Sequence, residues 1–189
     1  MKQYAFASGS RIKRALLLHA LLLGVPPLLV TASAEAAAPK VPAASKAVKN
    51  EDGKYLDAKG VPTYKIGPDG KVDWYTFSGF RRFNGTCDVC HGPDGSGSSF
   101  GPDLTQALKS MDYNQFRSIV SGGKQDVSTS QQLVMPAFGN DKNVMCYLDD
   151  IYVYLRARAN DAIPGGRPPK HEDKPAAAKA AEASCTGIK

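Results

Sequence analysis

At 189 residues, 42% of them hydrophobic and 22% charged, the chain has room for one domain with appendages. Its 24 basic and 18 acidic side chains give a formal net charge of +6. Four of the basic residues and none of the acidic ones fall in the first 34 positions, so the remainder carries 20 against 18, about +2, with no clustered basic face of the kind a nucleic acid requires.

In chain order, Lys2, Arg11, Lys13 and Arg14 precede an apolar run from Ala15 to Val30 that Pro26-Pro27 interrupts, and Ala32-Ser33-Ala34 has the A-x-A pattern of a cleavage site. Residues 1–34 therefore read as a secretory signal peptide cut near Ala34, which implies an exported, periplasmic protein. The run is shorter than the ~20 residues a helix needs to cross a bilayer, so no membrane span is expected after processing. Residues 35–51, rich in Ala, Pro and Lys, read as a disordered linker. Residues 52–72 form an N-terminal extension, where Tyr64-Lys65-Ile66 and Lys71-Val72-Asp73-Trp74 flank the turn sequence Gly67-Pro68-Asp69-Gly70 and suggest a small hairpin.

From Asp73 the pattern is helical. Asp73 caps a helix through Trp74, Phe77, Phe80 and Phe83 that Asn84-Gly85 ends. Asp112 opens a second over Tyr113 to Ser121, with Phe116, Ile119 and Val120 facing inward. The third runs from Lys142 to Ala159, with Val144, Leu148, Ile151, Tyr152 and Leu155 at helical spacing. Residues 73–160 are thus the folded domain, and residues 161–189 a disordered Pro/Ala/Lys-rich tail tied back by Cys185. The Gly-, Pro- and Ser-rich sections between the helices are long for a compact domain, which points to loops with a function.

Cys87-Asp88-Val89-Cys90-His91 carries the chemistry. C-x-x-C-H is the attachment sequence of c-type haem: each thiol adds to a vinyl group of the porphyrin, and the following imidazole lies under the iron. A thioredoxin-type redox pair would need a βαβ unit, which the pattern lacks. A zinc site would need a second close pair of ligands, whereas Cys146 and Cys185 stand 39 residues apart. An iron that only exchanges electrons takes a sixth ligand. Met135, 44 residues past His91 in the loop Val134-Met135-Pro136-Ala137-Phe138-Gly139, suits that role. Met111, 20 residues past His91 at the start of a helix, is its rival, and Met145 reads as packing. Gly101-Pro102-Asp103-Leu104 could be simply a turn, or could supply a Pro102 carbonyl to the second ring nitrogen of His91. In an oxidising compartment Cys146 and Cys185 are expected to pair with each other, closing a loop for about 4 kcal/mol in the chain-entropy model; intermolecular pairing or a free thiol are the other possibilities.

Together the C-x-x-C-H-Gly segment, Gly101-Pro102-Asp103-Leu104, Met135-Pro136-Ala137-Phe138 and Tyr152-Val153-Tyr154-Leu155 resemble class I c-type cytochromes. The resemblance implies an all-α fold around one covalent haem, with Gly79 and Phe83 of the first helix crossing Tyr154 of the last, and with the Pro102 carbonyl on His91. The long N-terminal section, the Gly-Ser-rich stretch after His91 and the two extra cysteines are similar, more narrowly, to the four-cysteine c-type cytochromes associated with methanol metabolism. That likeness implies work beside a quinoprotein (PQQ) alcohol or methanol dehydrogenase as electron donor. With no general base, nucleophile or substrate-pocket constellation in the sequence, the chain reads as an electron carrier and not an enzyme, expected to be a monomer and to pass electrons to a later cytochrome or terminal oxidase. Two other readings stand beside it: a haem sensor or peroxidase-like protein with an open sixth position, and a fixed cytochrome subunit of a larger dehydrogenase.

Overall fold

The computed structural model describes residues 45–127 and 132–187; the expected signal peptide and the first ten residues of the expected linker lie outside them. Among the described residues no helix is long and apolar enough to cross a membrane.

Two helices make the frame. Helix α1 (Trp74–Thr86) starts where the buried Asp73 carboxylate accepts from the Thr76 backbone N–H at 2.9 Å and the Thr76 hydroxyl at 2.6 Å. Helix α6 (Leu148–Ala159) buries nearly its whole length, including Ile151, Tyr152, Tyr154 and Leu155. The two cross at Gly79, where a Cβ would sit 1.9 Å from the Asp150 carbonyl oxygen and 2.8 Å from the Tyr154 Cβ. Phe80 and Phe83 close on the Tyr154 ring at 5.7 Å each. The crossing that the family resemblance implied for Gly79, Phe83 and Tyr154 is the one observed.

Between them α2 (Asp88–His91), α3 (Leu104–Ala107) and α4 (Tyr113–Gly122) follow in order. Helix α4 begins in a reciprocal capping box between Asp112 and Gln115 and buries Phe116 and Val120 against the core. After it come the antiparallel strands β4 (Lys124–Val127) and β5 (Gln132–Met135). The single helix expected from Lys142 to Ala159 is two, α5 (Lys142–Met145) and α6, because Tyr147 leaves the helical region at φ −126° and ψ 17°. The break falls where two long-range partners take hold: Cys146 is disulfide-bonded to Cys185, and the Arg82 guanidinium lies 3.5 Å over the Tyr147 ring.

The N-terminal extension departs from expectation too. Strands β1 (Lys49–Glu51), β2 (Lys54–Leu56) and β3 (Pro62–Thr63) form an antiparallel sheet in that order, turning at Asp52-Gly53 with both residues at positive φ. The strand at 49–51 corrects the linker boundary at residue 51. Asp-Gly between two short runs is the strong hairpin signal, and here it outweighs the Gly67–Gly70 turn, which closes only an isolated Ile66–Val72 bridge. That second turn builds no ladder because the Lys65 N–H goes to the Asp73 carboxylate instead. Arg156 of α6 ties the extension down, reaching the Asp57 carboxylate at 2.8 Å and the Pro62 carbonyl at 2.9 Å.

The tail is the largest correction. The tie at Cys185 is present, but instead of being disordered the tail ends in helix α7 (Ala176–Thr186), whose Ala178 is buried. Its residues are too polar and small to form a core of their own, but others hold them. Val72 bridges His171 in parallel. The His171 ring stacks on Phe77 at 3.7 Å, and Cys185 is bonded to Cys146, the residue that caps α5.

Buried acids on this frame carry a pH signature. Burial, opposed by the Ser78 hydroxyl and Lys54, pushes Asp150 up to about 7. Its folded pKa therefore lies above its unfolded value near 3.9, so its contribution is complete below pH 4 and is lost as pH rises through 7. Asp150→Asn is expected to raise Tm at pH 8 and to change it much less at pH 5; parallel Tm–pH curves for variant and wild type would rule this out.

Candidate functional site

The site begins at the end of α1. The Cys87 N–H donates to the Phe83 carbonyl at 2.8 Å, and the N–H groups of Cys90 and His91 donate to the Cys87 carbonyl at 3.2 and 3.0 Å. Cys87, Cys90 and His91 thus stand at i, i+3 and i+4 of one helical turn, positions that share a face. The two thiols are unpaired, Cys87 half-buried and Cys90 exposed. Burial, then the charges of Asp88 and Cys90, push the Cys87 thiol up to about 11, so it stands protonated at neutral pH.

His91 is buried, and its Nδ1 lies 3.0 Å from the Pro102 carbonyl oxygen. A carbonyl only accepts, so Nδ1 carries the proton and Nε2 keeps a lone pair for a ligand. Two glycines make this approach possible. A Cβ on Gly101 would lie 2.8 Å from the Cys90 carbonyl oxygen and 3.0 Å from His91 Nδ1, and one on Gly92, at φ +70°, would lie 2.2 Å from the Gly97 carbonyl oxygen. The loop between them folds back onto α2 through the Gly97 N–H on the His91 carbonyl at 2.7 Å.

Asp94 anchors that loop to the frame, a role the sequence reading missed. It sits at φ 58°. One carboxylate oxygen accepts from the Tyr154 hydroxyl at 2.9 Å and the other from the Gly166 N–H at 2.8 Å. Burial, then the Asp94 charge, raise the Tyr154 pKa and keep that hydroxyl a donor. The only local hint was an acid flanked by Pro93 and Gly95, which any turn could carry.

Met111, Met135 and Met145 are all partly buried against the core and differ in what surrounds them. Met135 closes β5, partly buried against the core. Met111 ends the turn after α3, its N–H on the Ala107 carbonyl, and lines a surface groove with Asn114, Gln115 and Ile119. Met145 lies beside the disulfide, in a pocket with Asp149 and Glu182.

Two unpaired thiols and an oriented imidazole on one face of a helical turn fit a covalently attached haem, and the partly buried Met135 thioether at the end of β5 is a sulfur of the kind that ligates its iron. They do not fit the competing uses of the motif. The cysteine pair follows a helix rather than a strand, and among the described residues no group of three or more His, Cys, Asp or Glu side chains gathers to hold a metal ion.

No family model matches the chain. It is 53% identical over 135 residues to cytochrome c-553I of Paracoccus denitrificans, covering 71% of this chain but only 60% of that protein's length. It is 33% identical over 96 residues to cytochrome c-555 of Methylococcus capsulatus, covering 50% of this chain and 72% of that one. The crystal structure of c-type cytochrome XoxG from Methylobacterium extorquens AM1 superposes with a TM-score of 0.70 at 53% identity, covering 75% of this chain and 87% of the other.

Proposed function

As the chain belongs to the class I c-type cytochromes, we propose that it is a periplasmic electron carrier with one haem c bound through Cys87 and Cys90 and ligated by His91 and Met135. When bound, the group supplies a one-electron iron couple. The chain's own residues do the rest. The helical turn presents both thiols to one side, the Pro102 carbonyl holds the imidazole in the tautomer that would ligate the iron, and the Met135 thioether would supply the other iron ligand. The observation that carries this reading is the 3.0 Å contact between His91 Nδ1 and the Pro102 oxygen, because it leaves Nε2 unprotonated beside two free thiols.

For partners, the likeness to methanol-metabolism cytochromes supports a quinoprotein (PQQ) methanol or alcohol dehydrogenase as donor and a later cytochrome or terminal oxidase as acceptor; a monomer in solution is part of the same proposal. The N-terminal charge pattern and A-x-A sequence support export. The test mixes the oxidised holoprotein with a purified quinoprotein methanol dehydrogenase and methanol. Rapid appearance of the reduced spectrum is expected; a protein that ascorbate reduces but the dehydrogenase does not would remove the donor while keeping the carrier.

Three large apolar side chains are exposed beside the site. Val89, between the cysteines, is 77% exposed; Phe100, two residues before Pro102, 69%; and Val134, next to Met135, 58%. Transient redox complexes bury small areas, so a few such groups carry much of the contact. Phe100→Asp is expected to slow reduction by the donor about tenfold, equivalent to about 1.4 kcal/mol, with the reduction potential unchanged. An unchanged rate would place the contact elsewhere.

A further inference from the structure

We propose that the C-terminus of α4, through Gly123 and Gly139, is the element that seats Met135, making these two glycines positioning residues for the axial thioether. The inference rests on Met135 being the second axial ligand.

Met135 is the last residue of β5, and the strand pairing returns it opposite Lys124, two residues past the end of α4. A two-stranded ribbon is marginal alone, so what holds Met135 has to be found at its base. There Gly123 closes α4 at φ +75°, its N–H on the Ile119 carbonyl at 2.8 Å. A Cβ at Gly123 would meet the Met135 carbonyl oxygen at 2.7 Å, the Ala137 nitrogen at 3.0 Å and the Pro136 carbonyl carbon at 3.2 Å. All three are backbone atoms, so no side chain can swing aside, and the positive φ disfavours a side chain in any case.

The chain beyond Met135 then serves as the helix's cap. The N–H groups of Phe138 and Gly139 donate to the Val120 and Ser121 carbonyls, both at 3.0 Å. These are among the last four carbonyls of α4, which have no partner inside the helix. A Cβ on Gly139 would lie 2.9 Å from the Ser121 oxygen. Residues 135–139 are thus clamped to α4 on both sides of Pro136. Helix α4 in turn is fixed to α6, with the Phe116 and Tyr152 rings 5.2 Å apart. Met135 takes its position from the helical frame through this chain of contacts.

The experiment compares Gly123→Ala, Gly122→Ala and Met135→Ala as holoproteins. Gly122 is the neighbour whose added Cβ would meet nothing within 4 Å, so it controls for helix propensity. For Gly123→Ala the expected results are a weakened Met–iron charge-transfer band, a lower reduction potential and carbon monoxide uptake at least tenfold faster; Gly122→Ala should match wild type in all three. Should Gly123→Ala fail to fold, Gly139→Ala, whose clash is with one carbonyl oxygen, is read by the same three measurements. A glycine variant that melts earlier but keeps wild-type band, potential and uptake, while Met135→Ala changes them, overturns the positioning role and leaves the ligand reading intact. If Met135→Ala itself leaves all three unchanged, the ligand reading fails and the positioning role with it.

Discussion

Met135→Ala is expected to convert the carrier into a ligand-binding haem protein. Among the methionines of the described residues, Met111 lines a surface groove and Met145 sits beside the disulfide, whereas Met135 ends a strand clamped to α4 and is followed by Pro136, which restricts the backbone beside it. Thioether ligation opposite histidine raises the reduction potential relative to a second imidazole and closes the site to other ligands. Without the sulfur the potential should fall, the Met–iron charge-transfer band should vanish, and carbon monoxide or cyanide should bind readily where the wild type binds them poorly. Rapid, tight carbon monoxide binding by the wild type would instead favour a sensor or peroxidase-like protein with an open sixth position. The same changes in Met111→Ala and not in Met135→Ala would move the ligand to Met111.

Gly79→Ala should be the most damaging single methyl group in the frame. Inside a helix, alanine is otherwise favoured over glycine by about 1 kcal/mol. Here the added Cβ falls 1.9 Å from the Asp150 carbonyl oxygen, a backbone atom of α6, so the two helices have to separate. Overpacking costs about 1–3 kcal/mol when side chains can adjust. With backbone on the receiving side, the loss is expected at or above the top of that range, a large share of the about 5–15 kcal/mol by which domains are stable. Urea unfolding should show the midpoint falling with little change in slope. Gly85→Ala on the same helix, where a Cβ meets nothing within 4 Å, is the control and should be neutral or mildly stabilising. A loss below about 0.5 kcal/mol, the ordinary surface range, for Gly79→Ala would mean that the helices slide past the contact.

Features under short-range geometric control were legible in the amino-acid order alone. The spacing of Cys87, Cys90 and His91 puts them on one face of a helical turn wherever the chain is helical. Asp73 and Asp112 start helices because a carboxylate three residues before a free N–H caps it locally. The apolar periods of α1 and α4 needed no knowledge of their partners. Asp52-Gly53 carries the same kind of local signal as a two-residue turn, although the hairpin expected from the sequence is at Gly67–Gly70 instead. The remaining features depend on long-range contacts, and in each case the partner is far away in the chain. The helix expected through Cys146 breaks at Tyr147, the place where Arg82 and Cys185 engage the chain. The polar tail is held by Phe77, Val72 and Asp94 rather than by any core of its own. Asp94 becomes an anchor only because Tyr154, 60 residues away, points its hydroxyl there. Gly123 matters only because the Met135 backbone returns to it. A capping acid or a heme-attachment turn is bonded within a few residues and leaves a mark in local spacing. A close backbone approach or a cross-chain hydrogen bond leaves none, because either partner alone is compatible with many other folds.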